Sequence, residues 1–481
     1  MLQSPVRQLC AFAVVALFFV FFFSTGLSYH FDGEARILSG GIPCQFLQYV
    51  VLKTISPVEF PLDDPTRRTI IVGDIHGSYI YFRALLDKLS YNPSSDVLIH
   101  VGDILTKGSH NGSMDTLDFM TTHNITGVRG NHDQKVIEWR AWLAWIGTQQ
   151  GGTRWLAQTQ ARWETATDEA ENDLDPEEWL KDEINKRKEH RRWWKKIPAG
   201  WKLFGDHFLV AQDMSEEQAA YLRALPLALH IPSAHAFIVH AGMLPSDPKY
   251  KPTHPRQPLA RVPKLPRGKG KAANENEKTQ VLRTLQELAV LAEVPQNTVP
   301  YNLLNLRSIV DTKVTKDNFG KPWSKAWKHD MLRCAGFDKD LLMPPTSVKP
   351  VQELLPCYPA TVVYGHAASR GLDIKRWSIG LDSGCVYDRR LTALVLGSKG
   401  AEVDEDEGDD VDTMRRFVVQ RDGEEKDEDH AEKDQEEHTD DYDDGDESKD
   451  EEASNKKNKN KTGSVRFGDA HQGRIVSVSC S

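Results

Sequence analysis

Thr69-Ile70-Ile71-Val72-Gly73-Asp74-Ile75-His76-Gly77 is a short β-branched apolar run that stops at a glycine and then delivers an aspartate and a histidine two residues apart. The apolar run reads as a buried strand, and the glycines as a tight turn in which the backbone can approach a bound ion closely. Outward from this stretch the same pattern recurs four times. Asp96–Val101 leads to Gly102-Asp103, Asn124–Val128 to Gly130-Asn131-His132-Asp133, Ala236–Val239 to His240-Ala241-Gly242, and Thr361–Tyr364 to Gly365-His366. Tyr79–Leu89 carries apolar residues at helical spacing and reads as the first connecting helix. Five clusters just past the carboxyl ends of five strands place a site where open α/β sheets put one. The predicted fold class is α/β.

Asp74, His76, Asp103, Asn131, His240 and His366 are all oxygen or nitrogen donors. Such a set suits divalent ions, zinc first and also manganese, iron or cobalt, rather than a thiolate site. Six donors are enough for two adjacent ions if one carboxylate bridges them, and Asp103 is the natural bridge. Any one cluster alone would read more simply as an ordinary, partly buried histidine beside a turn carboxylate.

The order and content of all five clusters resemble the calcineurin-like metallophosphatases over roughly residues 68–397. The resemblance implies a four-layer sandwich, two mixed β-sheets flanked by helices. It assigns Asp74 and His76 to one ion, Asn131, His240 and His366 to the other, and Asp103 to both. Two ions about 3.5–4 Å apart activate a water and clamp an in-line phosphoryl displacement. The resemblance also makes His132 the general acid for the leaving oxygen, with Asp133 a candidate to orient its imidazole or raise its pKa; the other reading of Asp133 is a turn carboxylate.

One departure bears on substrate. Protein Ser/Thr phosphatases of this family continue the second cluster as Gly-Asp-x-Val-Asp-Arg-Gly, whereas this chain has Gly102-Asp103-Ile104-Leu105-Thr106-Lys107-Gly108. Thr106 replaces the acid-orienting aspartate, and Lys107 replaces the phosphate-gripping arginine, exchanging a bidentate fork for a point charge. This argues against protein phosphatase activity. Downstream, Tyr301–Arg307, Tyr364–Gly371, Gly380–Val386 and Leu391–Leu394 resemble the bacterial diadenosine tetraphosphatases, and still more the fungal vacuolar zinc-dependent endopolyphosphatases. Both resemblances imply cleavage of phosphoanhydrides. Lys107 and Arg307 are then the substrate-binding candidates, Arg307 otherwise reading as a surface arginine that closes a helix; Asp382 either lines the site or belongs to a turn, and Arg370 is a further candidate. The expected substrate is inorganic polyphosphate, with a dinucleoside polyphosphate as the alternative and an inactive polyanion-binding scaffold as the non-enzymatic one. No nucleic-acid partner is expected.

Leu9–Leu27 is an apolar run of nineteen residues interrupted only by Ser24, Thr25 and Gly26. It reads either as a retained signal anchor, just long enough to span a bilayer, or as a cleaved signal peptide. The crowded Phe19, Phe21, Phe22 and Phe23 and the absence of an Ala-x-Ala site favour the anchor. With Arg7 before the run, residues 1–8 stay cytosolic and the enzyme faces a lumen as a single-pass type II protein, at the vacuole membrane on the resemblance. Asn111, Asn124 and Asn460 begin glycosylation triplets that agree with this orientation. Of six cysteines, Cys334 and Cys357 form a conceivable pair, and no zinc-finger spacing occurs.

The remaining stretches read as a linker and insertions around one catalytic body at 68–397: a lumenal linker at 28–67, a Trp-rich helical insertion at 138–200, a basic Pro-rich loop at 249–275, an acidic insertion at 398–470 and a final strand at 471–481. Residues 139–201 hold nine of the twelve tryptophans, and within them Lys186–Lys196 is either a polyanion-binding run or a helix face whose tryptophans cover a core. Residues 249–271 carry eight basic side chains among prolines, predicting an extended loop near the site mouth. The chain's net charge of −10 conceals a division: residues 401–452 carry 27 acidic and 6 basic residues, net −21, leaving +11 elsewhere. That tract is predicted to be disordered, apart from a weak strand pattern at Arg415–Val419. Arg474–Cys480 alternates like a strand and should pair with Leu391–Leu396, making the tract a hairpin insertion.

Overall fold

The computed structural model describes residues 49–170, 174–265, 274–338, 353–397 and 464–481. The chain runs through β1 (Val50–Thr54), β2 (Arg68–Val72), α1 (Tyr79–Lys88), β3 (Asp96–His100), α2 (His110–Thr122), β4 (Thr126–Gly127) and α3 (Asn131–Thr148). Four helices follow, α4 (Gly152–Glu169), α5 (Pro176–Lys186), α6 (Arg191–Trp194) and α7 (Asp206–Asp213), and then α8 (Glu216–Ala224) leads into the hairpin β5 (Pro226–Ile231) and β6 (Ala236–Val239). Next come α9 (Glu275–Glu293), α10 (Pro300–Asn305) and a small ribbon of β7 (Ser308–Val310), β8 (Lys313–Thr315) and β9 (Lys321–Pro322). After α11 (Trp323–Met331) the chain closes with β10 (Thr361–Tyr364), β11 (Asp373–Lys375), β12 (Ser378–Gly380), β13 (Arg390–Leu396), β14 (Ser464–Phe467) and β15 (His471–Ser479).

Two six-stranded sheets result, ordered β1-β5-β6-β10-β12-β11 and β14-β15-β13-β2-β3-β4. Both are mixed: β2–β3, β3–β4, β6–β10 and β10–β12 are parallel, whereas β5–β6, β13–β2 and β13–β15 are antiparallel. The pleat explains how the sheets stack. Successive side chains point to opposite faces, so in β2 Ile71 enters the core between the sheets while Ile70 and Val72 face the helices. β6 does the same on the other sheet, with Ala236 and Ile238 turned inward and Phe237 and Val239 outward. Runs that bury both faces are apolar throughout. Helices cover both outer faces, giving helix, sheet, sheet and helix layers.

Local signals start the helices where they begin. Ser109 caps α2 by accepting from Gly112, Asp175 caps α5 with Pro176 behind it, and Ser215 with Gln218 forms a capping box on α8. The tryptophans of α3–α6 are core residues: Trp139, Trp142, Trp145, Trp155, Trp193 and Trp194 are buried. The Trp155 and Trp193 rings lie 5.5 Å apart, and Trp142 donates to the Lys196 carbonyl. The basic run at 186–196 is thus a helix face covering a core, with Arg192 lying over Trp193 and Lys196 over Trp145.

β15 pairs with β13 along its length, Leu391 opposite Val478 and Leu394 opposite Ile475. Disulfides join Cys334 to Cys357 and Cys385 to Cys480. The strand read at 124–128 shortens to Thr126–Gly127, and Asn124 is exposed ahead of it. Leu9–Leu27, the acidic tract 401–452, Asn460 and residues 266–273 of the basic loop lie outside the described residues. Among the described residues, no helix is long and apolar enough to cross a membrane.

Candidate metal centre

The five sequence clusters meet. Those after β2, β3 and β4 come from one sheet, those after β6 and β10 from the other, and the carboxyl ends of both sheets open onto the same place. Asp74, His76 and Asp103 present ligand atoms within 4.8 Å of one another, as do Asp103, His240 and His366, so Asp103 belongs to both groups. Asn131 completes the set: its Oδ1 lies 2.9 Å from His240 Nε2 and 3.0 Å from His366 Nδ1. Apart from half-buried Asn131, these residues are all buried.

Backbone geometry aims them. His76, Asp103 and His366 have φ of +48°, +49° and +70°, a region that costs a non-glycine residue about 1–3 kcal/mol. Hydrogen bonds hold them there. His76 and Ile75 donate to the Asp103 carbonyl, and the His366 amide donates to Asp74 Oδ2 at 2.9 Å. Glycines make the close approach feasible: a Cβ at Gly130 would stand 2.0 Å from Asp103 Oδ1, and one at Gly365 2.0 Å from Asp74 Oδ1. His240 Nδ1 donates to the Val101 carbonyl at 2.9 Å, which turns its Nε2 lone pair into the centre, the outer hydrogen bond expected of a metal-ligating imidazole.

The electrostatics fit cations. Burial raises the Asp74 carboxyl well above its ordinary range, and the neighbouring carboxylates of Asp382 and Asp103 raise it further. Burial also pushes Asp103 up, but His240, His132 and His76 outweigh it and hold that carboxylate well below. Burial pushes His240 down, yet Asp103 and Asp74 carry it up to about 9; His76, dominated by burial, falls to about 4. Asp74 Oδ1 and His366 Nε2 are buried without a hydrogen-bond partner. Orphaned buried polar atoms of this kind, on a hard donor set, are what a bound divalent ion would satisfy.

Asp133 takes the second of its two sequence readings, the turn carboxylate, which corrects its placing as a catalytic partner of His132. Its carboxylate does not reach the His132 ring; Oδ2 accepts from the amides of Asp103 and Gly130 at 2.9 Å each, and Oδ1 from Ile104 at 3.1 Å. It clasps the β3 and β4 turns together. Burial, with Asp103 alongside, raises its carboxyl to about 7. The His132 imidazole instead meets His207, Nδ1 to Nε2 at 2.9 Å, and Thr106 Oγ1 at 3.3 Å. His207 Nδ1 in turn lies 2.6 Å from Asp206 Oδ1. Neither Asp206 nor His207 was picked out from sequence, although Gly205-Asp206-His207 repeats the glycine, aspartate and histidine vocabulary of the first cluster at the start of α7.

Cations border the centre. Lys107 Nζ donates to the Tyr387 hydroxyl at 3.2 Å, and Arg307 donates to the His366 carbonyl at 3.3 Å. Arg370 braces Arg307 by donating to its carbonyl at 3.0 Å, and Arg389 donates to the Ala368 carbonyl at 3.0 Å. Arg307 Nε and Arg370 Nη1 are buried without a hydrogen-bond partner. Asp382 is buried beside the centre, where burial lifts its carboxyl to about 6 against the Gly384 amide it accepts from. The basic stretch 249–265 is occupied locally, Arg256 with Tyr250 and Arg261 with Glu293.

The calcineurin-like phosphoesterase family matches residues 67–231. Over 71 residues the chain is 48% identical to a symmetrical bis(5'-nucleosyl)-tetraphosphatase of Haemophilus ducreyi, covering 14% of this chain and 26% of that one. Serine/threonine-protein phosphatase 2 of Escherichia coli is 39% identical over 72 residues, covering 15% and 32%. These matches span about a quarter to a third of the relatives' length. A symmetrical bis(5'-nucleosyl)-tetraphosphatase of Aromatoleum aromaticum is 26% identical over 333 residues, covering 68% of this chain and 92% of that one.

Proposed function

We propose that this chain, which carries a calcineurin-like phosphoesterase domain, hydrolyses phosphoanhydride bonds within inorganic polyphosphate. The observation that supports this substrate is the pair of cations whose charge reaches the centre: Lys107 acts on His76 and His132, Arg307 acts on His366, and Arg370 braces Arg307 by donating to its carbonyl. Separate guanidinium and ammonium groups beside one centre suit a chain of phosphates, each needing its own charge-assisted partner. Asp74 and His76 would hold one divalent ion, Asn131, His240 and His366 the second, and Asp103 both. Ions bound there supply Lewis acidity and an activated water.

The protein's own groups do the rest. Arg307 and Lys107 hold the phosphates flanking the scissile bond, His132 gives a proton to the departing phosphate oxygen, and the Asp133 clasp keeps Asp103 and Asn131 in register. A second reading, a dinucleoside polyphosphate hydrolase, is favoured by the names of the tetraphosphatase relatives. We place the enzyme in an oxidising, lumenal compartment, behind the apolar Leu9–Leu27 segment; two disulfides support that setting.

The test offers long-chain polyphosphate, diadenosine tetraphosphate and a phosphoserine peptide to the purified protein with zinc, manganese or cobalt, and sizes the products on a gel. Shortening from long to intermediate chains is expected. Release of monophosphate alone, or preference for the dinucleotide, overturns the substrate assignment.

A further inference from the structure

We propose that Asp206 and His207 are positioning residues for His132, supplying from outside the metal-binding clusters the orienting contact that Thr106 cannot make. The inference rests on the reading of His132 as the group that protonates the leaving oxygen. At position 106 a carboxylate would accept directly from His132 Nδ1. Threonine offers only a neutral hydroxyl, and its hydrogen is already given to the Leu105 carbonyl at 2.7 Å. Thr106 Oγ1 therefore remains a weak acceptor, 3.3 Å from His132 Nδ1.

A second imidazole enters from the start of α7. His207 Nε2 stands 2.9 Å from His132 Nδ1, with the ring planes only 22° apart and the centroids 5.0 Å apart, so the two rings meet edge to edge through their nitrogens. His207 Nδ1 lies 2.6 Å from Asp206 Oδ1. The protons follow from these contacts. The Asp206 carboxylate accepts Nδ1–H of His207, which leaves His207 Nε2 as a lone pair, and that lone pair accepts Nδ1–H of His132. With Nδ1–H held in this way, a second proton taken up by His132 sits on Nε2, and it is this imidazolium Nε2–H that is carried to substrate. When the anhydride or ester bond breaks, the imidazolium passes its Nε2 proton to the departing oxygen and becomes the neutral imidazole that keeps Nδ1–H, and solvent then returns a proton to Nε2.

Asp206 is itself anchored. Its Oδ1 also accepts from the His207 amide at 2.7 Å, and its Oδ2 accepts from the Lys107 amide at 2.9 Å. The carboxylate that orients His207 thus also pins the turn bearing Lys107, which has φ +64°. A carboxylate, an intervening imidazole and the acid form one line that begins at the end of the helical insertion.

The experiment compares phenyl phosphate, whose leaving group needs a proton, with p-nitrophenyl phosphate, whose leaving group does not, in the full-length protein loaded with manganese. His132→Ala is the reference, expected to lose about 10²–10⁴-fold in kcat on phenyl phosphate and far less on p-nitrophenyl phosphate. His207→Ala should show the same leaving-group dependence at about 10–100-fold, less than the about 10²–10⁴-fold of the acid itself, with metal content unchanged. His207→Gln, whose carbonyl can accept from His132 Nδ1, should recover most of the loss.

Equal losses on both substrates, or no loss on either, while His132→Ala keeps its leaving-group dependence, would overturn the positioning role alone. A His132→Ala variant with no such dependence would overturn the acid assignment, and the positioning role with it. If His207→Ala fails to fold, His207→Gln decides the matter: it must be slower than wild type on phenyl phosphate alone, and an equal loss on both substrates counts against the proposal.

Discussion

Asp133→Ala separates two roles that one carboxylate can play. In the structure Asp133 is fully buried and accepts from three backbone amides, those of Gly130, Asp103 and Ile104. Truncation strands three buried donors, at about 1–3 kcal/mol each, or about 3–9 kcal/mol gross. The loss is partly offset, because burial already holds this carboxyl up to about 7 and removing it relieves that desolvation. A net loss of about 3–5 kcal/mol is therefore expected, a large share of the roughly 5–15 kcal/mol that keeps a domain folded. Asp133→Asn should lose less, since one oxygen still accepts while its amide group faces an N–H. Urea unfolding of the metal-free protein, alongside kcat per folded molecule, measures both. A clear drop in the urea midpoint is expected for each variant. An unchanged midpoint with a large fall in kcat would refute the clasp and restore the sequence reading of Asp133 as the group that orients His132.

Glu287 is a second buried carboxylate that holds structure together, accepting from His230 and His235 at 2.7 Å each. Burial alone would raise its carboxyl, yet the two imidazoles hold it below the ordinary 4.5. A depressed folded-state pKa means stabilisation present above about pH 4.5 and lost as pH falls further. The gap in melting temperature between wild type and Glu287→Gln should thus be full at neutral pH and close in acid; a gap independent of pH would contradict it. Cys480→Ser removes a bridge across 95 residues, and chain-entropy arguments give about 4–5 kcal/mol for a loop of that size, against about 3–4 kcal/mol for the 23-residue separation of Cys334 and Cys357. Chemical denaturation of Cys480→Ser and Cys334→Ser should rank them in that order, and the reverse order would show that the 95-residue span is already constrained when unfolded.

Much of the site was legible because its chemistry is local. Each candidate metal ligand sits one to three residues beyond an apolar run or a glycine, so period, glycine and donor appear together in the string, as in Val72-Gly73-Asp74 and Tyr364-Gly365-His366. The inner and outer faces of β2 and β6 follow from the same runs by alternation. What escaped was non-local. His207 lies 75 residues beyond His132, across an insertion read only as helices, and nothing in the intervening pattern says that α7 returns to the centre. Of the two readings of Asp133, the one suggested by sequence adjacency to His132 fails and the turn carboxylate holds. On a helix, neighbours i and i+1 point apart, and at the third position of α3 the carboxylate turns back to the helix start instead. Cysteine arithmetic likewise suggested Cys334 with Cys357 but offered no reason to choose Cys385 with Cys480, a pair brought together only by β15 returning beside β13.

The most direct test of the two-ion reading is metal stoichiometry by native mass spectrometry on wild type, Asp103→Asn and His76→Ala after loading with zinc. Two ions are expected on wild type, one on His76→Ala, and loss of both high-affinity ions on Asp103→Asn, because only Asp103 belongs to both groups of donors. Retention of one tight ion by Asp103→Asn, or a single ion on wild type, would contradict a bridged two-metal centre.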